Sequence, residues 1–463
     1  MIFALQMEIP EGYILIKKAD YESLLQRIAD LEARLNKTSV NSHKPPSSDG
    51  YKKALKNNRE KSTRKQGGQF GHKGSTLEMV SNPDKIITHK VAGLCSCGLS
   101  LDGLSVKKIH RKQEFELAAK LIEVTEHCIE EKHCSCVKIH KAVCHLQSSA
   151  QYGNNLKSLM VYLNQQQFVP YERLQEFSKD VLGISISDGL LQDSNQKCYT
   201  NLSLTEESIK SALLQSEVMH NDETGIRCES ANKWVHSAST SKLTHYSIHN
   251  KRGVEAMDAI GILPNYTGIT VHDRWKSYNQ YTNATHAYCN AHLLRDLKYI
   301  NEEHNSKWAL EMKLLLMEAN TLKKQAELNA NSIAKITNKY STIIENALKE
   351  EPPDAAQTQK KRGRKPKSKT RLLLDVFINH QQKVLLFMYN KSVSFDNNLA
   401  ERDIRMVKLK QKISGCFRTI EGAEVFCRIR SVISTARKNG VNILDTISAA
   451  ISGNPIKIWV AEL

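Results

Sequence analysis

No apolar run in this chain approaches the roughly 18 residues that a membrane span requires. The opening Met1 to Leu5 is short, lacks a basic flank and soon meets Glu8 and Pro10, so no secretory leader is expected. The eleven cysteines are odd in number and scattered, unlike the disulfide framework of a small secreted domain. A cytoplasmic, reduced protein with no membrane partner follows as the expectation. Acid is also in short supply: 49 acidic against 66 basic side chains leave a net charge of +17. That surplus favours a polyanionic partner such as nucleic acid over a neutral metabolite. Nor does any constellation support a serine or tyrosine nucleophile.

A length of 463 residues calls for several domains. Tyr21, Leu24, Ile28, Leu31 and Leu35 alternate at spacings of three and four, a short heptad seam over 13–37. It serves either a coiled coil between copies or a helix packed on its own domain. Residues 38–85 read as a basic flexible linker, with Lys65 among the cations suited to a phosphate backbone. Over 86–147, Cys95, Cys97, Cys134 and Cys136 suggest a small zinc-binding-like module. Each pair is spaced Cys-x-Cys, tighter than usual, and His127, Cys128, His133 and His140 are substitute ligands.

Residues 148–215 carry helical periodicity, broken at Pro170 and Gly183, with Ser187 as a cap. A DNA-reading helix-turn-helix and an ordinary helical bundle both fit. From 216 to 290 the pattern is strand-like: Val218 to His220, Trp234 to Ser237, Leu243 to Ile248, then a helical stretch and Ile269 to Val271. Three antiparallel strands, a helix and a fourth strand set Asp222 and Asp273 on neighbouring strands, as in a ribonuclease H-like sheet. Two such carboxylates suit hard cations such as Mg2+, and a pair of them serves in-line displacement at phosphorus.

A third acidic stretch runs from Phe395 to Arg402. Asn397, Glu401 and Arg405 share one helix face. Glu401 is one candidate for a third ligand and Asp396 another, although Asp396 also suits an N-cap. Arg402, Arg405, Lys408 and Lys410 follow as candidate phosphate contacts. Between the second and third stretches, 291–394 reads as a helical insertion, with Leu293, Leu294, Leu297 and Ile300 on one face and then Leu310, Leu314, Leu315 and Leu322. At its start, His286, Cys289 and His292 stand three apart, for a metal, for packing or for DNA contact. Near its end, Arg362 and Arg364 lie in a basic run that fits an AT-hook or a solvated linker. The core resumes over 395–440, and 441–463 closes the chain with a helix.

The stretches NSHKPPSSD (41–49), GGQFGHKG (67–74), VPYERL (169–174), DET (222–224), HDRW (272–275), CNAHLLRD (289–296) and DNNLAER (396–402) occur in this order. Together they resemble the bacterial insertion-sequence transposases of family sixty-six, in the large transposase subunit, over almost the whole chain. The resemblance implies an α+β multidomain protein: a ribonuclease H-like DDE core with a helical insertion, preceded by a zinc module. It puts the catalytic triad on Asp222, Asp273 and Glu401. It also implies Mg2+, with Mn2+ as a substitute, double-stranded DNA as partner, a homo-oligomer, accessory proteins of the same element, and action on the nucleoid. Zinc is where the chain departs, because the family often has Cys-x-x-Cys. A DNA-binding descendant without turnover, and a nuclease without strand transfer, stay open as alternatives.

Overall fold

The computed structural model describes residues 16–35, 79–97, 100–102, 105–115, 120–133, 139–146, 148–351 and 368–456. Lys65, Cys134, Cys136, Arg362 and Arg364 lie outside them, as do the basic tract and the AT-hook-like run. Two compact units divide the chain, residues 57–147 and residues 1–56 with 148–463.

In the smaller unit, β1 (Glu131–His133) and β2 (Ile139–Lys141) pair antiparallel. The Gln113 carboxamide clamps Val80, donating to its carbonyl and accepting from its N–H, both at 2.8 Å. Ile86, Val91, Val106, Ile109, Val124 and Val143 are all exposed. The described residues here bury little apolar surface, the situation in which small units draw stability from something besides a core.

The larger unit opens with α1 (Lys18–Leu35). Tyr21, Leu24, Ile28 and Leu31 are exposed along it, so the apolar seam is available on a single helix. Next come α2 (Asn154–Val161), α3 (Tyr171–Asp180), α4 (Asp188–Asn201) and α5 (Ser203–Leu214). A π-helical turn, Tyr162–Gln166, extends α2. Gly183 takes φ +68 after α3, and the Ser187 hydroxyl caps α4 by accepting from the Leu190 N–H.

A five-stranded mixed sheet lies at the centre: β3 (Val218–Cys228), β4 (Ala231–Ser239), β5 (Thr244–His249), β6 (Ile269–His272) and β7 (Thr285–Tyr288), in the order β5-β4-β3-β6-β7. The first three are antiparallel; β6 runs parallel to β3 and β7 parallel to β6. The helix α6 (Val254–Ile260) makes the crossover between β5 and β6. The fifth strand is new relative to the sequence reading, being four residues long and carrying two polar ones. Glu229 and Ser230 join β3 to β4 with both φ values positive, as a type I′ two-residue turn demands. The usual Asn-Gly is absent, but Phe417 supports the turn by accepting from the Glu229 N–H at 3.2 Å.

Between β7 and the next functional helix stand α7 (Asn290–His304), α8 (Lys307–Lys324), α9 (Ala330–Glu350), α10 (Lys369–Asn379) and α11 (Gln381–Tyr389). They share one apolar core with Val271, Ala287 and Tyr288 of the sheet, so the insertion is packed on the edge that β7 forms. Leu293, Leu297 and Ile300 enter this core as the periodicity predicts. On α8 the expected stripe differs. Leu310 and Leu314 are exposed, and the buried face is Trp308, Met312, Leu315, Leu316 and Ala319. Trp308, at the helix start, is fully buried on that face.

The chain ends its described part with α12 (Asn398–Ser414), α13 (Ile420–Lys438) and α14 (Ile443–Ile451). α13 lies against β5, where the Ser431 hydroxyl accepts from the Tyr246 N–H at 2.8 Å. Among the described residues no helix is long and apolar enough to cross a membrane.

The start of β6 is held by a buried knot. The Tyr266 hydroxyl lies 2.9 Å from the Ser216 carbonyl, 3.1 Å from that of Glu217 and 3.2 Å from that of Ile269. A Cβ at Gly268 would meet that hydroxyl and, at 2.7 Å, the backbone oxygen of Ser216. Gly268→Ala is therefore expected to cost about 1–3 kcal/mol by overpacking, read as a lower urea midpoint. A midpoint at or above wild type would show that the two strands tolerate separation here.

Candidate active site

The parallel pairing of β3 and β6 matches His220 with Val271. Side chains alternate with period two, so Asp222 within β3 and Asp273 just past the end of β6, each two residues further on, fall on the same side of the sheet. On the other flank, Asp222 lies opposite Ser237 of β4, whose hydroxyl donates to the Asp222 carbonyl at 3.2 Å. The Asn221 carboxamide ties β3 to β6 by donating to Thr270 Oγ1 at 2.8 Å. Just past β6, Asp273 Oδ1 accepts from the Trp275 N–H at 2.8 Å, a local turn that fixes the carboxylate.

Glu401 arrives from α12, and Asn397 governs how. It is buried, and occupies the N-cap position that the sequence reading offered to Asp396. Its amide donates to the Asn221 carbonyl at 2.7 Å, and its Oδ1 lies 2.9 Å from His220 Nδ1. Its backbone N–H donates to Cys289 Sγ at 3.2 Å, and its own carbonyl accepts from the Glu401 N–H at 3.1 Å. Asp396 accepts from the Asn398 N–H at 3.1 Å, supporting the same helix start from one residue back.

Farther along, Asp403 fastens the helix to the sheet. Its Oδ2 accepts from Ser239 Oγ and Lys438 Nζ, both at 2.7 Å, and from Thr244 Oγ1 at 3.1 Å. Its carbonyl accepts from the Tyr246 hydroxyl at 2.9 Å. Strand β3 thus holds the front of α12, and β4, β5 and α13 hold the turn behind Glu401.

Asp222 and Glu223 respond to the charges around them. Burial comes first in pushing Asp222 well above the usual carboxylate range, and the negative charges of Glu223, Glu401 and Asp273 add to it. Burial also raises Glu223, with Asp273 adding, while Tyr278 and Arg252 work the other way. Arg252 donates to Glu223 Oε1 through Nε at 2.9 Å and Nη2 at 2.6 Å, and that Nη2 lies 4.0 Å from Asp273 Oδ2. Its guanidinium stands 4.1 Å from the Trp275 ring centre and 5.0 Å from that of Trp234. Behind Asp273, His272 and His286 are joined at 2.9 Å, and burial holds His272 neutral with its pKa near 3.

The His286, Cys289 and His292 trio divides. His286 turns inward, its Nε2 3.0 Å from the Tyr281 carbonyl. Cys289 and His292 instead gather with Glu401, their donor atoms all within 4.8 Å of one another. Among the candidate DNA contacts, Arg402 and Arg405 are exposed, and Arg405 Nη2 is 3.7 Å from Glu401 Oε2. Lys408 donates to the Gly225 carbonyl. Lys410 is half-buried over Phe417 and Phe426, at 4.8 and 5.6 Å, and burial lowers it to about 8. In the smaller unit, Cys95 and Cys97 are neighbours, and the Cys97 N–H leads in lowering the Cys95 thiol.

The model of the transposase IS66 family matches residues 149–425, more than half of the chain. The chain belongs to that family. In this IS66-family chain the matched span contains Asp222, Asp273 and Glu401 together with the whole sheet. A second model, of a family of unknown function (DUF6444), matches residues 4–78. No curated protein matches. Membership carries a transposase function, DNA as the partner and the use of a divalent metal.

Glu223, Arg252 and Asp403 escaped the sequence reading as site residues. Arg252 lies 29 positions from its partner Glu223 and forms part of no motif. Asp403 reads as one more charge on a solvated helix, and only its contacts across the fold with Ser239, Thr244 and Lys438 distinguish it.

Because the folded protein raises the Asp222 pKa, the cost of its charge is absent below the unfolded value, near 3.9, and fully present above the folded one. Asp222→Asn should therefore stabilise the metal-free protein at neutral pH by about 1 kcal/mol. That advantage should fade as the pH falls toward 4. Melting temperatures across that range without divalent metal would decide it; a pH-independent difference would sever the link to ionisation.

Proposed function

We propose that this IS66-family chain is a DDE transposase whose ribonuclease H-like core uses Asp222, Asp273 and Glu401 to hold Mg2+, with Mn2+ as a substitute. It would cut a strand at the element's end and then join the freed 3′-hydroxyl to target DNA. Both steps are in-line displacements at phosphorus, so one site serves both and no covalent protein intermediate is needed. The observation that carries this reading is the convergence of Asp273 and Glu401 on Asp222, whose proton affinity their charges raise. A carboxylate crowded by like charges in a half-buried corner is suited to sharing a cation with them. The sheet order, three antiparallel strands followed by two parallel ones, supports the ribonuclease H-like assignment.

The donor set fits the ion. All three side chains offer hard oxygens, which Mg2+ prefers. Glu401 Oε1 is buried with no hydrogen-bond partner among the described residues, an acceptor in want of a positive charge. When bound, a pair of such ions activates the attacking oxygen and stabilises the leaving one. The chain's own part is orientation: Asn397 and Asp403 hold Glu401 to the strands that bear Asp222 and Asp273. Arg252, kept at the rim by Glu223 and the two indoles, is poised to take a phosphate oxygen. Exposed Arg402 and Arg405 extend that positive surface along α12, with Lys408, Lys410, Lys65, Arg362 and Arg364 as further candidates for the DNA backbone.

The same reading gives Cys95, Cys97, Cys134 and Cys136 a structural zinc ion, in a unit whose described apolar residues are mostly exposed. It gives the exposed seam of α1 a second copy of the chain. A cytoplasmic enzyme working on the nucleoid, with accessory proteins of the same element, completes it.

Cleavage and joining of a labelled transposon-end duplex in Mg2+ tests the proposal. Asp222→Ala, Asp273→Ala and Glu401→Ala should each lose at least about a hundredfold in both steps while still binding the duplex, the scale on which removing a transition-state electrostatic group acts. Retained activity in any one would remove that residue from the triad. Asn397→Ala, which removes the tie of the α12 start to β3 and with it the aim of Glu401, should lose about ten- to a hundredfold. Activity of Asn397→Ala within twofold of wild type would dismiss its positioning role.

A further inference from the structure

Cys289 stands at the N-cap of α7, His292 three residues into that helix, and Glu401 one turn into α12. Their donor atoms converge: Sγ, a ring nitrogen and a carboxylate oxygen lie within 4.8 Å of one another, with His292 Nδ1 3.9 Å from Glu401 Oε1. Ligands at zinc bond lengths of about 2.0–2.3 Å sit roughly 3.3–3.8 Å apart around a tetrahedron, so rotation of the two partly exposed side chains closes the gap. The Asn397 N–H already donates to the sulfur at 3.2 Å, a bond that strengthens when the sulfur is anionic. The cluster also has an open side, since Cys289 is buried but His292 and Glu401 keep 18% and 21% of their side-chain surface.

We propose that Cys289, His292 and Glu401 form a binding site for a thiophilic divalent cation of the Zn2+ class, separate from the hard-metal carboxylate site but sharing Glu401 with it. The thiol separates this site from the Mg2+ site, because sulfur selects zinc-like ions and Mg2+ keeps to oxygen. On binding, the S–H bond breaks, its proton goes to solvent, and a metal–sulfur bond forms. His292 supplies a neutral ring nitrogen, Glu401 supplies Oε1, and water completes four ligands. With Oε1 so engaged, Glu401 no longer serves the Asp222 and Asp273 side, and zinc inhibits. That inhibitory consequence rests on the DDE reading above; the binding site itself does not.

Titrating the full chain with Co2+ reads the site directly, because a cysteine thiolate on cobalt gives a near-ultraviolet charge-transfer band. Wild type should take up one more equivalent than Cys289→Ser, with a matching loss of band intensity in the variant. In Mg2+-supported cleavage, the Zn2+ concentration that halves the rate should be at least about tenfold higher for Cys289→Ser than for wild type, each normalised to its own zinc-free rate. Identical stoichiometry and spectra in the two proteins would overturn the proposal. If the cobalt difference is present but wild type cleaves nothing in Mg2+, the metal site is supported and the catalytic reading is overturned instead. Should Cys289→Ser fail to fold, anomalous scattering at the zinc edge from zinc-soaked wild-type crystals decides. A peak between Sγ, Nδ1 and Oε1 supports the site, and its absence in soaked crystals overturns it.

Discussion

Like charges brought together in a partly dry corner repel, and the architecture around Asp222 is organised to withstand that repulsion. Asp222 and Glu223 within β3 and Asp273 just past the neighbouring β6 lie close together, and Glu401 adds a fourth negative group from a helix almost 180 residues later in the chain. Without a clamp, α12 would drift away from the sheet. Asn397 supplies it at one end through β3, and Asp403 at the other through β4, β5 and α13. Arg252 offsets part of the charge by pairing with Glu223.

The helical insertion answers the same constraint from the opposite direction. By packing α7 to α11 against β6 and β7 in one apolar core, it fixes the edge of the sheet where Asp273 stands and seats Cys289 under the start of α12. An excursion of this length would be expected to loosen the tie between its two ends. Here the Phe395 carbonyl accepts from the Asn290 N–H at 3.0 Å, so the chain leaves and re-enters the sheet region at one point.

Much of this was legible in the residues. The alternation at 218–248, the short apolar run at 269–271 and the helical stripe at 293–300 correspond to elements of the structure, because one-sided burial imposes period two on strands and 3.6 on helices. Less legible were β7, too short and too polar for an alternation signal, and the core face of α8, where Leu315 and Leu322 meet the core but Leu310 and Leu314 do not, and Trp308 and Met312 are buried in their place. Lys410 shows a further blind spot: in sequence it is one of a run of cations, whereas in space it covers two phenylalanine rings.

The sequence by itself determined the charge of the molecule, its mixed α/β character and the three acidic stretches, because these depend on composition and on local periodicity. Only the tertiary structure decided which side chains meet. It joined Arg252 to Glu223, Asp403 to Lys438 and Asn397 to β3, and it regrouped Cys289 and His292 with Glu401 rather than His286. The physical reason is that such contacts are set by the direction in which a packed element presents its side chains, and spacing along the chain carries that information only within a single helix or strand.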